Sequence, residues 1–525
     1  MQLFKRLGFA LMAIALPGGS CLGAENLISN PSMIPYDDGN ILQVLQAGEP
    51  GPEHWSIGTE DGSVIDSRFM VGANEENNRS GLGIAAGRDR QGVWSTNLPA
   101  CEPGVAYRFE AEFFKDKRSE SSAYPEVRIW GKSYKLDTHR MYGRYQPLHV
   151  HVQCPGGISG DLSTFSFMNM YAGTAFWMRN PVLIRKDQSQ IAIQPPPRIG
   201  FFPIAVYGGE ADDLPALKKL GLNSAVVGFD RQHITACRES GLHCTLLALQ
   251  NPDTLQLKLD QWEDVLAPEH FSFYVNDEPG IHSFPRDTAA KIQRIIKERY
   301  PRSFTNMAVV RPQVIPDYME GADYFMLDQY PVPHMPMTWL SDSMDEAAEY
   351  VGRNRLQAVI QAFGGERWAH GGWPRMVTFE EMNCLAFLAV IHGARGLYFY
   401  TYQAIKASEQ GVKDFTSVIR RLNSLRSWLL VVNEEGPVDL EMTSVNRFDP
   451  QGRPAVHCSL KEQHGTQMLM CVNTIRTYVE AAVPVLEKRS LEWEEYFTGE
   501  TNLVVDGKLH ERFDPLEVRV LMEKK

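Results

Sequence analysis

Phe271-Ser-Phe-Tyr-Val-Asn-Asp-Glu-Pro-Gly280 is the stretch on which the fold turns. Its aromatic and β-branched residues suit a strand buried on both faces, as parallel strands are. The run stops at two adjacent carboxylates, Asp277 and Glu278, and a Pro-Gly turn follows. In a (β/α)8 barrel the functional groups gather at the C-terminal ends of the strands. The pair falls there if the flanking segments are strand–helix units.

Working outward, those units can be counted. Gln194-Pro-Pro-Pro197 marks a stiff boundary. Arg198 to Tyr207 reads as a first strand, and Asp213 to Gly221 as a helix with an acidic start and a glycine stop. Leu222 to Asp230 is a second strand, Gln232 to Ser240 its helix, and His243 to Leu249 a third strand, which makes the decapeptide the fourth. Thr288 to Tyr300 follows as a helix. Strands five to eight fall at Phe304 to Val310, Ala322 to Asp328, Leu356 to Phe363 and Gly396 to Tyr402. Thr378-Phe-Glu-Glu381 forms a capping box ahead of the apolar helix Met382 to His392, and a helix from Asp414 to Val431 closes the series. Eight alternations predict an α/β, (β/α)8 TIM barrel over residues 198–432.

The flanks are of a different class. In residues 25–187, short runs such as Tyr107 to Phe113, Glu126 to Trp130 and Leu148 to Val152 alternate with Gly, Pro, Asn and Asp clusters. This predicts an N-terminal β-sandwich, or jelly roll. Residues 433–525 return to β patterns, with Ala455 to Leu460, Met468 to Val472 and Leu516 to Leu521, and predict a small C-terminal β-sandwich.

Bulk properties narrow the function. With 43% apolar and 22% charged residues the chain is ordinary globular protein, and 525 residues imply two to four domains. A net charge of −12 argues against a nucleic-acid partner, which would draw its affinity from Lys and Arg. Lys5-Arg6, an apolar stretch from Leu7 to Pro17 and small residues to Ala24 predict a cleaved signal peptide over 1–24, and a secreted or periplasmic protein with no transmembrane segment. Acylation at Cys21 is the weaker alternative, since Gly18-Gly19-Ser20 lacks the usual aliphatic residue. In an oxidising compartment Cys101 with Cys154, and Cys458 with Cys471, can pair. No zinc-ligand spacing occurs, and the glycines of Gly364 to Pro374 do not follow the Gly-x-Gly-x-x-Gly pattern of a nucleotide site, so no metal or cofactor is expected.

Glycosidic cleavage needs an acid for the leaving oxygen and a second group that attacks, activates water or steadies an oxocarbenium-like transition state. On the residues quoted above, the chain resembles barrel-type glycoside hydrolases. Two forms of that resemblance bear on the fourth strand. Clan A hydrolases end it in Asn-Glu, often followed by Pro, which implies Glu278 as acid/base with Asp277 where Asn is expected. Families such as 20 and 123 carry an Asp-Glu pair, which implies Glu278 as acid and Asp277 orienting a substrate 2-acetamido group that itself attacks. The N-terminal region, in Glu25 to Ser32, Trp55 and Ala175 to Ile184, resembles galactose-binding-like modules, which implies a carbohydrate-binding or a structural accessory role.

The second group is open. A retaining clan A enzyme has a nucleophilic Glu at the end of strand seven, where this chain has Gln361; Glu366 on the following loop and Asp328 at the end of strand six are the candidates. Direct displacement requires about 5–5.5 Å between the two carboxyls and inversion roughly 6.5–9.5 Å. Were Asp277 ionised beside Glu278, its charge would keep the glutamic acid protonated to higher pH. Against this, period-two alternation sends strand neighbours to opposite faces, so one acid of the pair can be a cap or a loop residue.

Aromatics crowd the same predicted face: Tyr330, Trp368, Trp373, Tyr400 and Tyr402 suit the apolar faces of sugar rings, while Asn276, Gln361, Gln403 and His370 suit their hydroxyls. Asp230 and Tyr207 also end strands but are more often structural there, and His392 reads as packing. The sequence thus predicts an exported glycosidase with Glu278 as general acid/base and a carbohydrate substrate. The alternative, supported by Gln361, is a non-catalytic carbohydrate-binding or scaffold protein with a degenerate barrel site.

Overall fold

Eight short strands, each buried on both faces, form the centre of the second of two compact units, Met1–Ser189 and Gln190–Lys525. The computed structural model describes residues 27–28, 43–45, 54–58, 68–73, 80–85, 92–103, 105–116, 125–136, 146–154, 163–169, 174–185, 199–266, 271–282, 284–432, 436–438, 440–450, 452–485 and 491–524. The expected leader over 1–24, with Cys21, and the Pro-rich boundary at 194–197 lie outside the described residues.

The central strands are β1 (Ile204–Val206), β2 (Ser224–Val227), β3 (His243–Leu247), β4 (Phe271–Asp277), β5 (Thr305–Val309), β6 (Tyr324–Leu327), β7 (Leu356–Gln361) and β8 (Leu397–Tyr400). All neighbours pair in parallel, in the order β1-β8-β7-β6-β5-β4-β3-β2. A parallel bridge from Tyr207 to Val226 joins β1 to β2 and closes the barrel. Outward residues such as Val206, Leu246, Phe273, Phe325 and Ile360 belong to the large core shared with the helices. Inward residues, among them Ala205, Val226, Tyr274, Ala308, Met326, Val359 and Tyr398, fill the lumen.

The main connecting helices are α1 (Leu214–Lys219), α2 (Arg231–Ser240), α3 (Pro252–Gln261), α4 (Arg286–Arg299), α5 (Thr338–Val351) and α6 (Phe379–Ile391), and α7 (Glu409–Ser424) follows β8. Side-chain caps fix the starts of α2, α3 and α6, from Asp230, Asn251 and Thr378. The fifth crossover departs from the expected alternation. It is a 3-10 turn, Pro312–Asp317, because Pro312 and Pro316 remove backbone donors that an α-helix there would need.

Helix α6 is apolar around its whole circumference because it is covered twice. One side lies on β7; the other meets the C-terminal sheet, whose Met468, Met470, Val472, Val518 and Val520 join the barrel core. In that sheet the strands run in the order Glu441–Met442, Val479–Pro484, Lys508–Phe513, Thr501–Val505, Glu492–Glu495, Val518–Glu523, Thr466–Asn473 and Val456–Gln463. They fold over a core containing Val456, Leu469, Val479, Trp493, Leu509 and Phe513. Polar contacts reinforce the junction. His392 lies between Asp345 and His457, 2.9 Å from each, and Lys461 donates to the Val431 carbonyl at 2.9 Å.

The first unit is an antiparallel two-sheet sandwich. One sheet has the order Gln43–Leu45, Arg68–Ala73, Ser80–Ala85, Ala175–Arg185, Ala106–Lys115, Gln146–Gln153; the other Ser56–Gly58, Gly92–Asn97, Thr164–Asn169, Glu126–Ile129, Lys132–Lys135. Trp94, Phe109, Phe113, Phe165, Phe167 and Phe176 are fully buried between them. Trp55 packs edge-on against Phe165, with ring centres 5.9 Å apart.

Both expected cysteine pairs are disulfides, Cys101–Cys154 and Cys458–Cys471, and a third joins Cys237 of α2 to Cys244 of β3. Cross-linking over 53 residues, the first restricts the unfolded chain by about 4 kcal/mol on loop entropy. Among the described residues no helix is long and apolar enough to cross a membrane.

Glu381 ties the capping box of α6 to its surroundings. It is fully buried, Arg375 donates to both its oxygens at 2.6 and 2.7 Å, and Arg476 reaches it from the C-terminal sheet. Burial raises its carboxyl, but the hydrogen bonds from Arg375, the Thr378 N–H and Arg476 outweigh this and hold it below the usual carboxylate range. A depressed carboxyl contributes stability that is present above the unfolded-chain value and lost as pH falls. Glu381→Gln should therefore lower unfolding free energy by roughly 1–3 kcal/mol at pH 7, with the difference narrowing below about pH 4, in urea titrations.

Candidate active site

Neighbouring residues on an ideal strand cannot both face the lumen, and β4 is not ideal. Tyr274 pairs with Asn306, but Asn276 pairs with Met307 and Asp277 with Ala308, so a bulge falls at Val275. Without that irregularity Asn276 would lie opposite Ala308 on the inward side. The bulge hands the inward position to Asp277, as bulges near functional sites commonly re-aim a side chain. Asn276 instead donates to the Gln250 Oε1.

Glu278 is turned back by its own backbone. Its φ is +44°, in the left-handed region, while its N–H donates to the Ala308 carbonyl at 3.1 Å. Such a conformation costs a residue with a side chain roughly 1–3 kcal/mol, and persists where surroundings over-determine it. Both acids therefore converge on the barrel mouth. Asp277 accepts the Tyr274 hydroxyl, and Glu278, with its side chain 11% exposed, lies 3.8 Å from the His282 Nε2.

Asp328, immediately after β6, is the third acid. It is 3% exposed, with one carboxyl oxygen, Oδ1, left without a hydrogen-bond partner. Burial first, then the charges of Glu278 and Asp277, push the Asp328 carboxyl well above the usual carboxylate range. The raised acid is thus the one on β6. Burial first, and then the same negative field, raises the hydroxyls of Tyr207, Tyr274 and Tyr330.

Aromatics wall one side of this mouth. Phe363, two residues past β7, is the hub: its ring centre is 5.0 Å from Tyr330, 4.6 Å from Trp368, 5.2 Å from Trp373 and 5.5 Å from Tyr400. Tyr330 and Tyr400 stack at 5.9 Å, and the Trp373 indole N–H donates to the Tyr330 carbonyl at 3.1 Å. The loop carrying both tryptophans closes tightly at Gly364. With φ +153°, a Cβ there would lie 1.8 Å from the Arg375 carbonyl oxygen.

The structure thus brings together Asp277, Glu278, Asp328, Tyr330, Trp368, Trp373 and Tyr400, with Tyr207 beside them. Other residues expected to join them are placed differently. Glu366 is exposed on the turn Glu366–Gly371; the carboxylates acting on Asp328, Tyr330 and Tyr400 are those of the strand ends. Gln361 is fully buried and spends its amide on the backbone of one residue: Oε1 accepts the Val332 N–H and Nε2 donates to the Val332 carbonyl, both at 2.9 Å. Tyr402 packs under Lys406, and Gln403 donates to the Gly208 carbonyl at 3.2 Å. His370 is exposed, and Asp230 caps α2. Phe363, Tyr274, Gln250 and His282 were not anticipated. Only Tyr274, three residues before an acid on an inward-facing position, left a readable signal.

No family model matches the chain, and no curated protein does either. Among solved structures, an α-amylase from Geobacillus thermoleovorans complexed with acarbose is similar at 9% identity and TM-score 0.45, over 62% of this chain and 98% of that one. A family 27 β-L-arabinopyranosidase from Geobacillus stearothermophilus, in complex with arabinose, aligns at 11% identity and TM-score 0.45, over 64% and 99%. A family 30 endoxylanase from Clostridium papyrosolvens aligns at 7% identity and TM-score 0.40, over 63% and 98%. These neighbours are glycoside hydrolases.

The bonding of Gln361 has a direct consequence. In Gln361→Glu, a carboxylate oxygen would replace the amide donor opposite the Val332 carbonyl. We expect a loss of roughly 1–3 kcal/mol in chemical denaturation and no gain of glycan hydrolysis. A gain of hydrolysis would show instead that a carboxylate had been missing at this strand end.

Proposed function

We propose that the protein is an exported glycoside hydrolase acting on an oligo- or polysaccharide, with Glu278 as its general acid. The observation that carries this reading is the convergence of Glu278, Asp277 and Asp328 at the C-terminal mouth of a closed (β/α)8 barrel, beside an aromatic wall. Glu278, with its side chain 11% exposed against 3% for Asp328, is the acid that a glycosidic oxygen can reach. The rings of Tyr330, Tyr400 and Trp368 offer apolar faces on which a sugar can rest. Three disulfides support an oxidising compartment.

Burial also bears on the second group. Asp328 lies deeper, 3% exposed. Asp277, at the mouth and held by the Tyr274 hydroxyl, is the acid we assign to face the sugar, either steadying the transition state or orienting a substrate 2-acetamido group.

A leaving-group series tests the assignment. On aryl or alkyl glycosides with poor leaving groups, Glu278→Gln should lose about 10²–10⁴-fold in kcat. On 2,4-dinitrophenyl glycosides, which need no protonation, the loss should be far smaller. Equal losses across the series would remove Glu278 from the acid's role. A wild type that binds glycans but turns none over would support the scaffold alternative.

A further inference from the structure

Two successive carbonyls of β4 turn the same way, although in a regular strand they point to opposite neighbours. The Tyr274 carbonyl accepts the Ala248 N–H at 2.9 Å, and the Val275 carbonyl accepts the Gln250 Nε2 at 3.0 Å, so both face the chain that leaves β3. Val275 is fully buried, and a buried carbonyl left without a donor is costly. The donor here is a side chain, because β3 ends at Leu247. The same amide accepts the Asn276 Nδ2 on its Oε1 and donates to the Ala248 carbonyl at 2.9 Å. Gln250 thus satisfies both the carbonyl that the bulge turns aside and the side chain that it displaces. Inside the lumen the bulge has a second effect. Tyr274 and Asp277, three residues apart, would face opposite sides of a regular strand. The extra residue brings both inward, and the Tyr274 hydroxyl donates to the Asp277 Oδ1. Tyr274 is itself confined, 3% exposed and edge-on to Tyr207 with ring centres 6.0 Å apart.

We infer that Gln250 is a positioning residue of this site: from the loop after β3 it locks the bulge in β4, and the locked bulge sets Asp277 on the Tyr274 hydroxyl at the barrel mouth. In this role Gln250 touches no reacting atom and acts through Asp277. Its effect on the strand stands on the hydrogen bonds alone; its effect on rate rests on the glycosidase reading above.

Gln250→Met keeps the length of the side chain and removes its donor and its acceptor. Gln250→Glu keeps the acceptor for Asn276 and sets a carboxylate oxygen against the Val275 carbonyl. Each should favour a return toward the regular register. In a crystal structure of either variant, set beside that of the wild type, Asn276 should replace Asp277 opposite Ala308, and the hydrogen bond from Tyr274 to Asp277 should be broken. Variants that keep the bulge and that hydrogen bond would overturn the inference, whatever the protein acts on.

Kinetics separate this role from a merely structural one. A 2,4-dinitrophenyl glycoside needs no protonation, so its rate reads Asp277 rather than Glu278. On such a substrate Gln250→Met should lower kcat by about 10–100-fold and change KM less than about threefold. In an Asp277→Asn background the same substitution should cost less than about threefold, because the group that it places is already gone. Equal losses in the two backgrounds would overturn the inference. A wild type without turnover, together with a shifted β4 in the variants, would instead set aside the glycosidase reading and leave the placing of Asp277 by Gln250 standing.

Discussion

Closing eight parallel strands creates a lumen that only the strands' own inward side chains can fill, and the character of that filling governs everything above it. Here much of it is polar. The Asn306 amide donates to the Gln357 Oε1 at 3.2 Å and to the Tyr398 hydroxyl at 3.1 Å, and the Thr245 and Ser272 hydroxyls bond at 2.9 Å. Above this floor stand Tyr274, Val226, Ala308, Met326 and Val359. These bonds restrict the rotamers of their members, while the Asn306 Oδ1 and the Gln357 Nε2 are left without a partner. The Tyr274 hydroxyl of the next layer donates to Asp277 and so ties the lumen filling to the acids.

The bulge in β4 is what converts this platform into a site. A regular strand would send Asp277 and Glu278 to opposite faces, one into the lumen and one into the packing against the helices. An isolated carboxylate in that packing would be costly, since nothing apolar there can replace its hydration. The irregularity at Val275, followed by the left-handed backbone at Glu278, brings both acids inward, and the displaced Asn276 is satisfied by Gln250. The strain is local and is offset where it arises, by the hydrogen bond from the Glu278 N–H to the Ala308 carbonyl.

This explains which parts of the molecule were legible in the sequence. Strand positions, the α6 capping box and two of the three disulfides follow from local patterns that the chain displays openly. Helix α3 was not read, although Asn251 caps it, Pro252 opens it and Leu255 with Leu259 bury one face. Its few apolar residues gave little periodicity against a polar background. The bulge could not be read, because one extra residue in a strand leaves no compositional mark. The Cys237–Cys244 bond joins a helix to the next strand, a contact that spacing alone does not announce. Within the site, Asp328 was one of several strand-end acids. Only the fold distinguishes it from Glu366, by placing one beside Glu278 and the other in solvent.

Gln361 is where the two readings of the barrel part. Were it the remnant of a nucleophile, the loss of the carboxylate would be expected to leave donors at the mouth without an acceptor. Instead, both ends of the Gln361 amide are matched to the N–H and the carbonyl of Val332, and a carboxylate could satisfy only one of them. The glutamine is thus suited to holding the loop that carries Tyr330, which stacks on Tyr400 and anchors the Trp373 indole. The acids meanwhile concentrate at the ends of β4 and β6, where burial and then the charges of Glu278 and Asp277 raise the Asp328 carboxyl. That grouping beside the aromatic wall, and not the residue at the end of β7, is what the hydrolase proposal rests on.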